Sequence, residues 1–124
     1  MLFLDTHVIV WLYQKELDRF TAKALNILEE ESLYISPSVL LELEYLYEIK
    51  RISENSKTII DYLTGRIGLE TDPVSFLPIA ERARTMKWTR DPFDRIIAAQ
   101  ADFHDAGLLS KDRIILKYYS KAFW

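Results

Sequence analysis

Two aspartates three residues apart, Asp91 and Asp94, open a segment with the pattern of a half-buried helix. A carboxylate at such a position can accept hydrogen bonds from free backbone N–H groups, or it can bind a metal ion. Capping explains Asp91, because Pro92 follows it and proline is typical of the first helical position. Capping explains Asp94 less well, because its side chain is short for reaching back to the cap. Asp94 also borders the apolar face of the helix, so it can line a cleft.

Asp5 follows the short apolar run of residues 2–4, which is typical of a buried strand, and Asp112 comes after the strand predicted over residues 108–110. Either aspartate can be a simple turn or cap residue, and taken alone the two interpretations are about equally good. In parallel sheets, however, ligands bind beyond the carboxyl ends of the strands, where both aspartates would lie. Ser110 adds a hydroxyl that could hold a carboxylate or a metal-bound water.

Glu42 falls within the apolar arc of a helix predicted from Ser36 to about residue 51, whereas Glu44 and Glu48 are predicted on its polar side. A glutamate on an inward face costs free energy unless it is paired or coordinated. A buried salt bridge is one explanation. Because no basic partner lies nearby in the sequence, a metal-binding or catalytic role is the better one.

Carboxylates that converge repel one another and favour protonation, and a divalent cation removes this conflict. Mg²⁺ binds few carboxylates and several waters, and it can activate water or stabilise the leaving oxygen of a phosphodiester. The acidic residues therefore predict metal-assisted phosphodiester hydrolysis. The chain has no cysteine and two histidines, which argues against a zinc site, and it has no glycine-rich phosphate-binding loop.

The elements that would position these residues alternate between strands and helices. The predicted strands are residues 2–4, 33–35, 69–71, 108–110 and 122–124. The predicted helices are residues 8–12, 17–30, 37–51, 53–66, 74–86 and 91–106. Thr6 is the expected N-cap of the first helix, and Gly107 is the expected C-terminal cap of the last. This alternation, with short connections, predicts an α/β domain with a central, mostly parallel sheet.

With 124 residues, the chain has the length of one ordinary domain, and residues 1–124 are expected to form it. Its net charge of −3 argues against nucleic-acid binding by bulk charge alone, but the carboxylates of a metal-dependent nuclease lower the net charge themselves. No apolar run approaches the roughly 18 residues that span a bilayer, and the N-terminus does not look like a signal peptide. A cytoplasmic protein without membrane association is expected.

Four segments of the chain resemble the signature segments of PIN-domain ribonucleases. They are residues 3–8, 35–43, 90–95 and 108–112, and they occur in the same order as in that family. The Asp-Pro-Phe-Asp-Arg sequence in the third segment is specific, and the four segments together are a strong signal. The similarity covers essentially the whole chain and is greatest to the VapC-type toxins of bacterial toxin–antitoxin systems.

This resemblance implies a three-layer α/β/α fold and a Mg²⁺- or Mn²⁺-dependent endoribonuclease that cleaves RNA with a metal-activated water. The acidic metal ligands it implies are Asp5, Glu42, Asp94 and Asp112, with Asp91 as an added carboxylate at the rim. Thr6 and Ser110 match positions whose hydroxyls orient the ligands. The resemblance also implies a homodimer and a VapB-like antitoxin that inserts a segment into the active-site groove.

Arg90, Arg95 and Lys111 flank the acidic residues and could contact RNA phosphates, although such side chains are more often solvated surface groups. Trp11 and Trp88 could stack on bases, but packing in the core or in a dimer is the better explanation of both.

Two alternatives remain open at this level. One is a PIN-like domain that binds RNA or a partner without cleavage, and the other is a nuclease that processes RNA, or acts on DNA, rather than serving as a toxin. The sequence does not determine the RNA target, the number of metal ions, the antitoxin or the dimer geometry. It also leaves open whether Asp91 or Asp112 contacts metal directly.

Overall fold

The computed structural model describes residues 1–124, and five parallel strands form its central sheet. The strands are β1 (Leu2–Leu4), β2 (Leu33–Ile35), β3 (Glu70–Thr71), β4 (Gly107–Leu109) and β5 (Ala122–Phe123). Their order across the sheet is β3-β2-β1-β4-β5, and every neighbouring pair is parallel. The predicted α/β class and its parallel sheet are confirmed.

Helices connect the strands and flank the sheet, as the expected α/β/α fold requires. The helices are α1 (Thr6–Tyr13), α2 (Ala22–Glu30), α3 (Pro37–Glu48), α4 (Ser56–Ile67), α5 (Phe76–Ala83), α6 (Pro92–Phe103) and α7 (Arg113–Tyr118). A short 3₁₀ turn, Leu17–Arg19, precedes α2. None of the helices is both long enough and apolar enough to cross a membrane.

The core is built around β1, whose residues Leu2, Phe3 and Leu4 are almost completely buried. Because both faces of this central strand are covered, its sequence is a continuous apolar run rather than an alternating one. Helix α6 packs against β1 and β4, and its small residues Ala98 and Ala101 are fully buried there. The core therefore fixes the position of the end of β1 relative to the start of α6.

Local capping determines where the two helices that carry acidic residues begin. Ser36 caps α3 by accepting a hydrogen bond from the backbone N–H two residues further on, at 3.2 Å, and Pro37 occupies the first helical position. Asp91 caps α6 by accepting hydrogen bonds from Phe93 N at 2.9 Å and from Asp94 N at 3.3 Å. The predictions for both helix starts are confirmed.

The predictions for the first two helices are wrong in detail. Asp5, and not Thr6, caps α1, because its carboxylate accepts a hydrogen bond from Thr6 N at 2.8 Å. The single helix predicted over residues 17–30 is divided into the 3₁₀ turn and α2. The division falls at Thr21, whose hydroxyl caps α2 by accepting a hydrogen bond from Ala24 N at 3.0 Å.

Two further predictions need correction, and one helix was not predicted. Gly107 begins β4 instead of capping α6, because the chain reverses earlier, through Asp105 with a φ of 53°. Helix α3 ends at Glu48, before the predicted end at residue 51. Helix α7 was not predicted, although Asp112 supplies its N-cap.

Glu44, which is predicted on the polar side of α3, is partly buried and forms hydrogen bonds there. Its Oε1 accepts hydrogen bonds from the N and Oγ of Ser56, at 3.1 and 2.8 Å, and so connects α3 to the first residue of α4.

Candidate metal centre

The acidic residues meet where the order of the sheet changes direction. β1 lies between β2 and β4, so the chain builds one half of the sheet on one side of β1 and the other half on the opposite side. At such a switch point, the carboxyl ends of the strands open a crevice in which parallel sheets bind ligands. Asp5 follows β1 and Ser110 follows β4. Asp5 N donates to Leu109 O at 3.1 Å, which makes Asp5 and Ser110 neighbours.

Asp5 is the most deeply buried of the predicted acidic ligands, with 5% of its surface exposed. Its Oδ2 accepts a hydrogen bond from Ser110 Oγ at 2.7 Å, and its Oδ1 accepts the bond from Thr6 N. Burial raises the pKa of Asp5 above its ordinary value, the two hydrogen bonds lower it, and the charge of Asp112 raises it. The fold therefore fixes the orientation of a carboxylate that it also desolvates.

Glu42 reaches the same region from the second turn of α3 and is half-buried. Thr6 Oγ1 donates a short hydrogen bond to Glu42 Oε1. No salt bridge involves Glu42, so a buried ion pair does not explain its inward position. Burial raises the pKa of Glu42, the bond from Thr6 lowers it, and the charges of Asp5 and Asp91 raise it.

Asp94 is the residue whose pKa is raised by the charges of all the other acidic side chains of the site. It is half-buried in the first turn of α6, and its carboxylate does not bond back to the cap. Burial is the largest cause that raises the pKa of Asp94 to about 8, followed by the charges of Asp91, Asp5, Asp112 and Glu42. Each of these four carboxylates, although they lie on separate elements, is therefore near enough to Asp94 to affect its pKa.

Asp112 and Asp91 each use one carboxylate oxygen to cap a helix. Oδ1 of Asp112 accepts hydrogen bonds from Ile114 N at 2.9 Å and from Ile115 N at 3.0 Å. Asp112 N donates to Ser110 Oγ at 3.0 Å, which connects this cap to the hydroxyl that holds the β1 carboxylate. In both caps, Oδ2 has no hydrogen-bond partner within the chain. Capping therefore leaves each of these aspartates one oxygen to offer a ligand.

The side chains do not form a complete coordination sphere: no group of three or more His, Cys, Asp or Glu side chains has the spacing of a metal site. Carboxylates repel one another, and the hydroxyls of Thr6 and Ser110 hold two of them by hydrogen bonds. The donors are nevertheless of the right kind. They are all oxygen atoms, which suit Mg²⁺ or Mn²⁺ and leave coordination positions for water.

The basic side chains predicted beside this site differ in whether they are exposed or already bonded within the chain. Arg90 and Lys111 are exposed. Arg95 Nε donates to Thr89 O at 2.8 Å, so Arg95 supports the turn before α6. Lys111 borders a cavity of about 290 Å³ next to the acidic residues, and its Nζ lies 5.9 Å from the centroid of the Trp11 ring.

A buried polar network connects α3 and α6 and was not predicted. Asp72, which is 3% exposed, accepts a hydrogen bond from Gln100 Nε2 at 2.7 Å. His104 Nε2 lies 2.7 Å from the same oxygen, and Ser36 Oγ donates to Gln100 Oε1 at 3.1 Å. The network therefore fixes the relative position of α3, which carries Glu42, and α6, which carries Asp94. A hint was present, since Gln100 and His104 are four residues apart within the helix predicted over residues 91–106.

The fold and the site define an α/β/α protein with an acidic centre at the switch point of a parallel sheet. The sequence pattern of the PIN domain matches residues 2–121. The chain therefore belongs to the PIN-domain family. PIN domains are generally nucleases, and PIN-domain nucleases typically use divalent metals.

Among solved structures, the chain is similar to one described as the crystal structure of VapBC2 from Rickettsia felis bound to a DNA fragment from their promoter. The match covers 94% of this chain and 92% of the other, with a TM-score of 0.68 and 21% sequence identity. At this level of identity, the likeness is one of fold. No curated protein matches the sequence.

Proposed function

We propose that this protein is a Mg²⁺- or Mn²⁺-dependent endoribonuclease, and that it is the toxin of a VapBC-type toxin–antitoxin pair. The observation that carries the proposal is the convergence of carboxylates from the ends of two parallel strands and from two helix segments. Burial, together with the charges of the other carboxylates, raises the pKa of Asp94 to about 8. A site in which carboxylates disfavour one another's ionisation is a site that gains free energy by binding a divalent cation.

Asp5, Glu42 and Asp94 are the proposed metal ligands, directly or through water. Asp112 assists them, and Asp91 adds a carboxylate at the rim. When bound, a divalent cation supplies Lewis acidity, which activates water and stabilises the oxygen that leaves phosphorus.

The neighbouring side chains position these ligands. The Ser110 hydroxyl fixes one oxygen of Asp5, and the Thr6 hydroxyl fixes one oxygen of Glu42. Such hydrogen bonds matter because a ligand that is held in orientation loses less entropy when it binds a cation. Lys111, exposed next to Asp112, is placed to attract an RNA phosphate, with Arg90 in the same role.

The toxin assignment rests on the family and on the fold shared with a chain of VapBC2. With this assignment we propose a VapB-like antitoxin as the partner and a homodimer as the assembly. We also propose the cytoplasm as the location, because a ribonuclease toxin meets its RNA there.

The test is cleavage of RNA by the purified protein in Mg²⁺, compared with Asp5→Asn and Asp94→Asn. Asp61→Asn is the matched control, since Asp61 is exposed on α4 and pairs with Lys57. We expect the two site variants to lose about 100-fold of the activity, and the control to lose none. Equal cleavage by all four proteins would overturn the metal site. Cleavage of DNA, but not of RNA with the same sequence, would refute the proposal that RNA is the substrate.

The toxin assignment has its own experiment. Induced expression should stop the growth of a bacterial host, and Asp5→Asn should restore it. Growth arrest that persists with Asp5→Asn, or no arrest by a protein that cleaves RNA in vitro, would contradict the toxin assignment.

A further inference from the structure

We propose that single-stranded RNA on one side of the cleaved bond lies in a groove that leads from the acidic site past Trp11 to the end of α3. The proposal rests on the proposed ribonuclease function and adds the path of its substrate. We call this feature the Trp11 groove. It consists of three adjoining concavities that share lining residues.

The three concavities adjoin one another through shared lining residues. The first, of about 290 Å³, contains Asp5 and Asp112 of the acidic site and is also lined by His7 and Trp11. The second, of about 270 Å³, shares His7 and Trp11 with the first. The third, of about 690 Å³, shares Arg51 and two other residues with the second. The concavities therefore adjoin one another from the acidic site past Trp11 to the end of α3.

Basic side chains line this path although the chain as a whole is acidic, with a net charge of −3. Lys111 borders the first concavity, Arg19 and Arg51 the second, and Lys50 and Arg51 the third. All four residues are exposed. Lys50, Arg51 and Lys111 form no salt bridge within the chain, so their charges are available to phosphates.

Beyond Asp5 and Asp112 of the acidic site, the groove contains two further carboxylates, Glu16 and Glu48, and they are fewer than its basic side chains. Glu16 pairs with Arg19 at 3.2 Å and neutralises that side chain alone. Glu48 lines the third concavity together with Lys50 and Arg51. The balance remains positive along the path, whereas the acidic site at its beginning is strongly negative. RNA would thus be drawn along the groove by its phosphates, and only the bond to be cleaved would need to approach the carboxylates.

Trp11 provides a flat apolar surface within this charged path. Its ring is half-buried and rests against Phe20 and Trp124, with centroids 6.4 and 5.6 Å away and interplanar angles of 90° and 69°. This packing holds the indole in place. The Arg19 guanidinium lies 5.1 Å from its centroid and the Lys111 ammonium 5.9 Å away. Proteins bind single-stranded nucleic acids on aromatic surfaces flanked by basic side chains, because any base can stack on the ring and any phosphate can pair with a basic group.

The experiment measures binding and cleavage separately. Binding of a fluorescently labelled single-stranded RNA is followed by anisotropy with Ca²⁺ in place of Mg²⁺, and cleavage is followed in Mg²⁺. Arg51→Ala should weaken binding about 5-fold and lower the slope of log affinity against log salt by about 0.7. Arg66→Ala is the matched control, because Arg66 is an exposed arginine at the end of α4, outside the groove. It should leave both quantities unchanged.

Substitutions of Trp11 test stacking. Trp11→Ala should weaken binding about 10-fold, and Trp11→Phe, which keeps an aromatic ring, should recover most of the loss. Lengthening the RNA one nucleotide at a time should raise the affinity of the wild type on one side of the cleaved bond only. The same extension should bring little gain to Arg51→Ala. Because Arg51 is exposed, its substitution leaves the proposal testable even if Trp11→Ala fails to fold.

The outcomes distinguish this proposal from the proposed function. Groove-dependent RNA binding without cleavage would support the groove and count against the ribonuclease. Cleavage that is unaffected by Arg51→Ala and Trp11→Ala, with no one-sided gain from longer RNA, would overturn the groove and leave the ribonuclease standing. If polyglutamate binds with the same dependence on Arg51 and Trp11 while RNA does not, the groove serves an acidic polypeptide and the RNA path is refuted.

Discussion

Replacing Asp94 by asparagine should stabilise the metal-free protein at neutral and alkaline pH. In the unfolded chain, Asp94 ionises near its ordinary pKa of 3.8, whereas in the folded protein its pKa is about 8. Below pH 3.8 the group is protonated in both states and has no effect. As the pH rises towards 8, ionisation favours the unfolded state, so the wild type loses stability over this range. Asparagine cannot ionise, so Asp94→Asn should not show this loss.

The size of the effect follows from the two pKa values. If the whole difference acted on stability, it would be worth about 6 kcal/mol. Asp94 is half-exposed, and water screens its interactions with the other carboxylates, so we expect about 2 kcal/mol. For a chain of this length, this corresponds to a difference of about 8 °C in the melting temperature.

Thermal or urea unfolding in EDTA between pH 4 and pH 9 measures this difference. Wild type and Asp94→Asn should be similar at pH 4 and diverge as the pH rises, while Asp61→Asn follows the wild type throughout. Mg²⁺ at 100 times the wild-type Kd should remove most of this difference, because it stabilises the folded wild type by about 2.7 kcal/mol and stabilises Asp94→Asn, which binds it more weakly, by less. Parallel curves for wild type and Asp94→Asn in EDTA would refute the electrostatic reasoning.

Three further substitutions test the supporting contacts. Ser110→Ala removes the hydroxyl that orients Asp5, so Mn²⁺ should bind about 10-fold more weakly in calorimetric titration, and undiminished affinity would contradict this role. Asp72→Ala removes the shared hydrogen-bond partner in the buried network, and urea unfolding should register a loss of about 2 kcal/mol. A loss below about 0.5 kcal/mol, the range of ordinary surface substitutions, would show that the network does not hold the helices. Tyr119→Phe deletes the 2.6 Å hydrogen bond to Ala106 O and should lower stability by about 1 kcal/mol in the same assay, whereas no change would mean that water replaces the hydroxyl.

Features determined by neighbouring residues could be predicted from the sequence. Two helix starts are predicted by a capping residue followed by proline, at Ser36-Pro37 and at Asp91-Pro92. They can be predicted because capping involves residues within one turn. The ends of β1 and β4 could be located because a buried parallel strand is a continuous apolar run that a polar residue terminates. Since the carboxyl ends of parallel strands share one edge of the sheet, the meeting of Asp5 with the β4 end followed from the topology alone.

Features that depend on contacts across the chain could not be predicted. Asp72 follows a strand of only two residues, and its partner Gln100 is 28 positions away, so nothing local marks it as buried. The division of the helix predicted over residues 17–30 was missed because apolar periodicity continues through Thr21, and only the structure distinguishes a cap there from a helical residue. The Trp11 groove is likewise a product of three elements that are distant in sequence.

The most direct test of the account is Mn²⁺ binding, measured by calorimetry and by electron paramagnetic resonance. Wild type should bind Mn²⁺, and Mg²⁺ should compete for the same site. Asp5→Asn and Asp94→Asn should each weaken binding at least about 10-fold, while Asp61→Asn should not. If the wild type binds no Mn²⁺, or if the site variants bind it as tightly as the wild type does, then these carboxylates do not form a metal centre.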